Sequence, residues 1–231
     1  MKNILITLSV LLTYQTMISQ DELDQIGLDS LYREDQFFVG VTYNLLGNLP
    51  SDIAQNGFSS GFHLGFIRDI PINKRRNLAF GLGIGYSWNS FNQNLLISKG
   101  SNNKYIYTII DDSSIYSKNK FSQHLLEIPF EFRWRSSTQA DYKFWRIYTG
   151  LKTGYVVANS SKYNGSPENS KYKNIEDFNN LQYGLTLSVG YNTWNFYLYY
   201  ALNSIFDSNA LLNNTSIGMN AIKIGLIFYI L

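Results

Sequence analysis

The sequence predicts an all-β chain, an eight-stranded antiparallel up-and-down barrel that crosses a membrane. Three observations predict it. Residues 78–88 (Leu-Ala-Phe-Gly-Leu-Gly-Ile-Gly-Tyr-Ser-Trp) alternate large apolar and small side chains without a charge on either face. Successive strand residues point to opposite faces, so one face is greasy and the other nearly bare. That length also matches the roughly 9–11 residues of a tilted transmembrane strand. Second, similar segments recur from Gln36 onward, joined by connections that alternate long and short. Third, aromatic residues make up 16% of the chain and charged residues only 16%, below the roughly 25% charged of soluble domains. The mean hydropathy of −0.17 is expected where lipid-facing and lumen-facing side chains average out.

The 231 residues divide into three parts. Residues 1–20 read as a signal peptide: Met1-Lys2-Asn3, a short apolar run from Ile4 to Leu12, then a polar stretch to Gln20. Residues 21–35 carry six acids and one Arg and read as an acidic N-terminal periplasmic segment. Residues 36–231 form the barrel. The first strand, 37–46, presents Phe37, Val39, Val41, Tyr43 and Leu45 on its greasy face. The second, 58–70, presents Phe58, Phe62, Leu64 and Phe66, and a short basic turn leads to the third at 78–92. A long polar stretch, 93–120, follows, in which Leu95–Ile97 and Tyr105–Ile110 are spaced to pair as a hairpin beyond the membrane. The fourth strand (121–135) and fifth (143–158) flank a turn at Ser136–Tyr142, and a polar loop spans 159–179. The sixth strand, 181–191, is again cleanly alternating. The turn Asn192–Asn195 leads to the seventh strand (196–205), and a loop at 206–215 leads to the eighth (216–231).

An even number of strands closes without leaving an edge, which lipid requires. Alternating long and short connections place every long loop on one side of the membrane and every short turn on the other, as in outer-membrane barrels. Trp134, Trp145 and Trp194 fall at the short-turn ends and Trp88 at the opposite end, where aromatic girdles sit. Pro129 falls inside the fourth strand and requires a bulge or an irregular pairing. The rival architecture is a secreted, lipocalin-like barrel with its greasy face inward. Its outer face would then be wet, yet the third and sixth strands offer mainly Gly, Ala, Ser, Thr and Gln there.

Charges gather on the other face: His63 and Asp69, Glu127, Glu131, Arg133 and Arg135, Arg146 and Lys152, and Lys223. An eight-stranded barrel has room inside only for side chains, and buried charges pair rather than stand alone. We therefore expect Glu127 and Glu131 to face Arg146, Lys152 and Lys223 in a network, with Arg133 and His63, that plugs the bore. The alternative is a conducting or substrate-binding lumen, a small-solute porin.

Several chemistries are weakly supported. The chain has no cysteine, which excludes disulfides, thiolate metal sites and a lipoprotein anchor. Two histidines make a histidine metal site improbable, and no cofactor is expected. Lys2 is the leader's one charge; without it the acidic and basic residues nearly balance, giving no support to nucleic-acid binding. Gly81-Leu-Gly-Ile-Gly85 lacks a following helix and reads as strand packing. Ser122 and His124 should share the outward face near the rim. This is the arrangement expected of a lipid-modifying enzyme on a barrel's lipid face, although Glu127 points inward and supplies no orienting acid.

Certain segments carry a resemblance: Asp29-Ser-Leu-Tyr-Arg-Glu-Asp-Gln-Phe-Phe-Val-Gly-Val41, the Gly-Leu-Gly-Ile-Gly-Tyr-Ser strand, and above all Leu125-Leu-Glu-Ile-Pro-Phe-Glu-Phe-Arg133. With the leader, they make the mature chain resemble the PorT-like, or porin-family, outer-membrane β-barrel proteins. The resemblance implies location in the outer membrane among its lipids, and no catalytic residues. Some members are linked to type IX secretion and gliding machinery, so it also implies a partner from a secretion machinery or the cell surface. The expected role is a structural or interaction barrel whose loops 93–120 and 159–179 contact that partner.

Overall fold

The computed structural model describes residues 35–100, 102–111, 115–136, 144–166 and 168–230. The expected signal peptide and all of the acidic segment but Asp35 lie outside them. The described strands are β1 (Gln36–Gly47), β2 (Ser60–Pro71), β3 (Leu78–Asn92), β4 (Leu95–Lys99), β5 (Tyr105–Ile109), β6 (Tyr116–Arg135), β7 (Trp145–Gly165), β8 (Ser170–Lys173), β9 (Leu181–Tyr191), β10 (Trp194–Ala201), β11 (Leu211–Leu212), β12 (Thr215–Ser216) and β13 (Asn220–Ile230). Eight of them are staves. They run β1-β2-β3-β6-β7-β9-β10-β13, each antiparallel to the next, and β13 closes on β1 from Phe37↔Ile230 to Gly47↔Asn220. The staves are therefore neighbours in chain order, as an up-and-down barrel demands.

The greasy faces point out. Leu82 and Ile84 on β3 are 49% and 63% exposed, while Gly81 and Gly85 on either side of them are buried. The same alternation runs along β9, where Leu181, Tyr183, Leu185 and Leu187 are exposed and Gln182, Thr186 and Ser188 are buried. A lipocalin-like interior would require the reverse.

Four boundaries differ from the sequence reading by four residues or more. The last stave begins at Asn220 instead of 216, because Thr215–Ser216 pair with Leu211–Leu212. β6 starts at Tyr116 instead of 121, and β7 continues to Gly165 instead of stopping at 158; the two remain paired as far as Tyr116↔Gly165. Their upper parts carry Lys, Ser and Asn outward, because ladder hydrogen bonds persist where the wall no longer meets lipid. Apolar alternation marks only the membrane part of a strand. β10 ends at Ala201 rather than 205, because Asn203 takes over the ladder. Its side-chain oxygen accepts from Tyr183 N (3.0 Å) and its amide donates to Leu181 O (2.8 Å).

Pro129 sits in β6 opposite Lys152 without a register shift. On its other side the β3 ladder lapses between Leu82↔Phe130 and Gly85↔Glu127, where the missing N–H would have donated. The register shifts between β6 and β7 lie instead at Tyr116/Lys118 and His124/Leu125. The two-residue turn between β9 and β10 holds Asn192 at φ 56°, the left-handed conformation that tight hairpins use and that Asn tolerates.

The bare face of β3 makes room for side chains and backbone of neighbouring staves. A Cβ on Gly81 would meet Arg133 Cδ at 2.8 Å, one on Gly85 would meet Phe38 Cζ at 2.9 Å, and one on Gly83 would strike the Phe66 carbonyl and Ile67. Gly83→Leu is therefore expected to abolish assembly, whereas lipid-facing Leu82→Ile folds normally. Heat-modifiable mobility of the refolded proteins on a cold gel distinguishes the two.

Candidate functional site

The interior is built in two tiers. At the short-turn end, β2 supplies Asp69 and β6 supplies Glu131, Arg133 and Arg135, all inward by strand parity and all buried. Asp69 is the hub: Oδ1 accepts from Arg133 Nη1 and Oδ2 from Arg135 Nη2, each at 2.9 Å. Arg133 also donates to Gln36 Oε1, lies 3.5 Å from Glu131 Oε2, and stacks 4.1 Å from the Tyr148 ring. The backbone N–H of Asp69 donates to Asp35 (2.8 Å), tying the start of the barrel to this hub.

In the upper tier, Lys152 of β7 pairs with Glu127 of β6 at 3.0 Å. Ser87 Oγ donates to the other Glu127 oxygen at 2.7 Å, and Asn89 donates to Ser87. His63 Nε2 lies 3.0 Å from Thr42 Oγ1, which donates to Asn44. Lys223 lies 4.6 Å from the Tyr199 ring centre and Lys152 5.1 Å from that of Tyr197.

One of the expected pairings is corrected. Arg146 does not join Glu127 or Glu131: it donates to the Asn192 carbonyl and lies over the Phe144 ring. Lys223 lies over Tyr199 and within electrostatic reach of Glu127. The interior holds five buried cations and three buried carboxylates among the described residues, so aromatic faces and carbonyls take the surplus positive charge. Tyr148, Tyr197, Tyr199 and Tyr229, all inward, are the partners the sequence reading left unassigned. Tyr148 shares the parity of Arg146 and Lys152 on β7, Tyr197 and Tyr199 that of buried Asn195 on β10, and Tyr229 that of Lys223 on β13, and this spacing could have revealed them.

On the outside, Trp145 packs against Tyr191 (ring centres 5.4 Å) and Trp194 against Phe228 (5.1 Å). Trp134 pairs with Leu78 and Ile147. These three tryptophans ring the short-turn end. Trp88 stands near the other end, between Phe62 and His124.

The long-loop end carries a feature not read from the sequence. The connections at 93–120 and 159–179 are not simply polar loops. β4 and β5 form the expected hairpin, from Leu95↔Ile109 to Lys99↔Tyr105, and β8 extends the wall beside β7. Their inner faces, together with Ile53 and the segment 205–219, extend the buried apolar cluster of the interior into a cap: Leu95, Ile97, Tyr107, Phe121, Ile175, Phe178, Ile205, Phe206, Ile217 and Met219. Phe206 is its centre, with ring centres at 4.6 Å from Phe178, 5.5 Å from Phe121 and 5.7 Å from Tyr107.

Above this cap, a polar cleft of about 800 Å³ is lined by Lys99, Lys104, Tyr105, Glu176, Asp177 and Asn209 among others. Tyr107 donates to Asp177 at 2.9 Å. Burial and this carboxylate hold the Tyr107 phenol well above its ordinary range. A tyrosine that binds its proton more tightly when folded stabilises the cap below pH about 10 and loses that contribution as pH rises through the folded value. Tyr107→Phe should therefore make the protease resistance of the long connections less sensitive to alkaline pH and weaken it at neutral pH, by the roughly 1.5–3 kcal/mol of a hydrogen bond to a charged group.

Ser122 and His124 share a face but not a bond. Ser122 Oγ lies 3.0 Å from Ser160 Oγ on β7, whereas His124 Nδ1 lies 2.5 Å from Tyr86 Oη on β3. Glu127 is inside, held by Lys152.

Comparison with known proteins gives one family. The family model for the outer membrane protein beta-barrel domain matches residues 18–207. No curated protein matches the sequence. Among solved structures, the attachment invasion locus protein Ail of Yersinia pestis is 10% identical at a TM-score of 0.37, covering 87% of this chain and 100% of that one. Ail in complex with the heparin analogue sucrose octasulfate is 12% identical at 0.38, with the same coverage. A mutant Rh. blastica porin is 6% identical at 0.20, covering 86% of this chain and 100% of that one. The family match spans most of the chain, and the closed eight-stave topology with its apolar exterior agrees with it: the chain belongs to the outer membrane protein β-barrel domain family and resides in the outer membrane.

Proposed function

We propose that this protein is a non-enzymatic outer-membrane barrel with an occluded lumen, its long connections outside the cell, acting as a structural or interaction component through the surface of its cap. One observation carries the reading. The bore is crossed by two tiers of buried, paired side chains, and its long-loop mouth lies beneath a hydrophobic core. An eight-stranded bore so filled leaves no continuous water path. Liposomes containing the protein should swell no faster in a small sugar than protein-free liposomes; swelling at the rate of a general porin contradicts the reading and favours a small-solute pore.

The non-enzymatic part is supported by Ser122 and His124, which bond to opposite neighbouring staves and lack an orienting acid. Lipid A should keep its composition when the protein is overproduced, and a modified lipid A would contradict this. The PorT-like resemblance extends the proposal to an accessory of type IX secretion. A tag in the exposed turn at Asn103 should recover a component of that machinery from solubilised outer membranes. Recovery of none counts against the link.

A further inference from the structure

Where β6, β7 and β8 rise beyond the apolar band, their outward faces carry a row of lysines. Lys120 is directly opposite Lys162, and Lys162 directly opposite Lys171. Lys118 stands one outward position further along β6, and Lys173 lies opposite Ser160. Directly opposed side chains in an antiparallel ladder lie roughly 5 Å apart at Cβ, and like charges there are destabilising. Among the described residues no carboxylate pairs with these lysines. A hollow of about 260 Å³ is lined by Lys118, Lys120, Lys162 and Lys171, with Ser122 and Ser160 at its membrane side. Partial burial, and after it the ammonium groups of Lys118 and Lys162, lower the proton affinity of Lys120, which stands outside the apolar band. The fold thus concentrates positive charge around hydroxyl donors, and the described residues supply no anion to pair with it.

The depth of the hollow identifies the anion. Lys120 lies four residues, roughly 13 Å along the strand, beyond His124, which is paired with Trp88 at the edge of the exposed apolar band. The Lys120 ammonium also reaches back over the Trp88 ring, 5.8 Å from its centre, with its stem along the apolar wall. An outward-facing cationic hollow just above an aromatic boundary is at headgroup height, where each lysine adds attraction to an anionic surface.

We propose that this lysine row binds the phosphate of a lipid headgroup in the leaflet at the long-loop end of the barrel. The proposal rests on the membrane placement given above but not on an occluded lumen. It is tested on the full folded protein in nonionic detergent, by native mass spectrometry with bisphosphorylated lipid A, the same lipid dephosphorylated, and inorganic phosphate. The expected result is saturable binding of the phosphorylated lipid, weakened roughly a hundredfold in the variant Lys120→Gln/Lys162→Gln/Lys171→Gln, with weak binding of the dephosphorylated lipid to both proteins. Relief of like-charge opposition should leave the lipid-free variant at least as heat-stable as the parent, which a merely structural role for the lysines would not produce. Should the triple variant fail to fold, Lys162→Gln alone should weaken binding in the same direction. Equal affinity for both lipid forms, or phosphorylated-lipid binding unaffected by the substitutions, overturns the proposal. So does inorganic phosphate displacing the lipid at equal concentration, which would make the hollow a free-anion site. Because binding is read in detergent, it stands or fails whether or not the lumen conducts.

Discussion

Asp69→Asn is expected to lower the stability of the barrel by about 3–5 kcal/mol, the cost of leaving buried charge uncompensated. The carboxylate accepts from two guanidinium groups at 2.9 Å in a fully buried setting. The asparagine keeps the shape and loses the charge. Urea titration in micelles, followed by heat-modifiable mobility, measures the loss. Replacing all three partners, Asp69→Leu with Arg133→Met and Arg135→Met, should recover most of it, because exchanging a buried charged cluster for apolar groups of similar volume is often neutral or stabilising. A single substitution costing less than about 1 kcal/mol, the value of a surface pair, would mean that the hub does not hold the interior together.

The second large effect concerns the cap. Phe206→Ala should cost about 3–5 kcal/mol, since its ring lies at the centre of a packed cluster with Phe178, Phe121 and Tyr107. The loss should be local. The connections at 93–120 and 205–219 should become cleavable by added protease while the membrane band keeps its folded mobility, because opening free energies differ between regions of one structure. Asp69 is held at the short-turn end by Arg133 and Arg135 and Phe206 packs at the long-loop end, so Asp69→Asn and Phe206→Ala should add in a double variant. Strong coupling between them would contradict a two-part architecture.

The membrane band was legible because lipid imposes a strict period of two. Leu78 to Trp88 and Leu181 to Tyr191 show it without interruption, and the charged face of β6 follows from the same parity. The cap was not legible for a related reason. Beyond the lipid, outward positions turn polar, so Lys118, Lys120 and Lys162 disguised the upper parts of β6 and β7 as loop. The residues filling the cap, such as Phe178, Ile205 and Phe206, come from connections with no period to read. Within the lumen, charge and parity placed each charge on the correct face and anticipated Lys152 with Glu127, but not Asp69 with Arg133 and Arg135. Pairing depends on stagger between staves: Lys152 reaches Glu127 although it lies opposite Pro129. Arg146 and Lys223 found carbonyl and ring partners that no charge-counting argument supplies.

The most direct test of the occluded lumen is planar-bilayer recording of the purified, refolded protein. The filled interior predicts a baseline without stable unitary openings in molar salt, both for the parent and for Phe206→Ala, whose lumen pairs are intact. A stable, ohmic open state in the parent protein would contradict it.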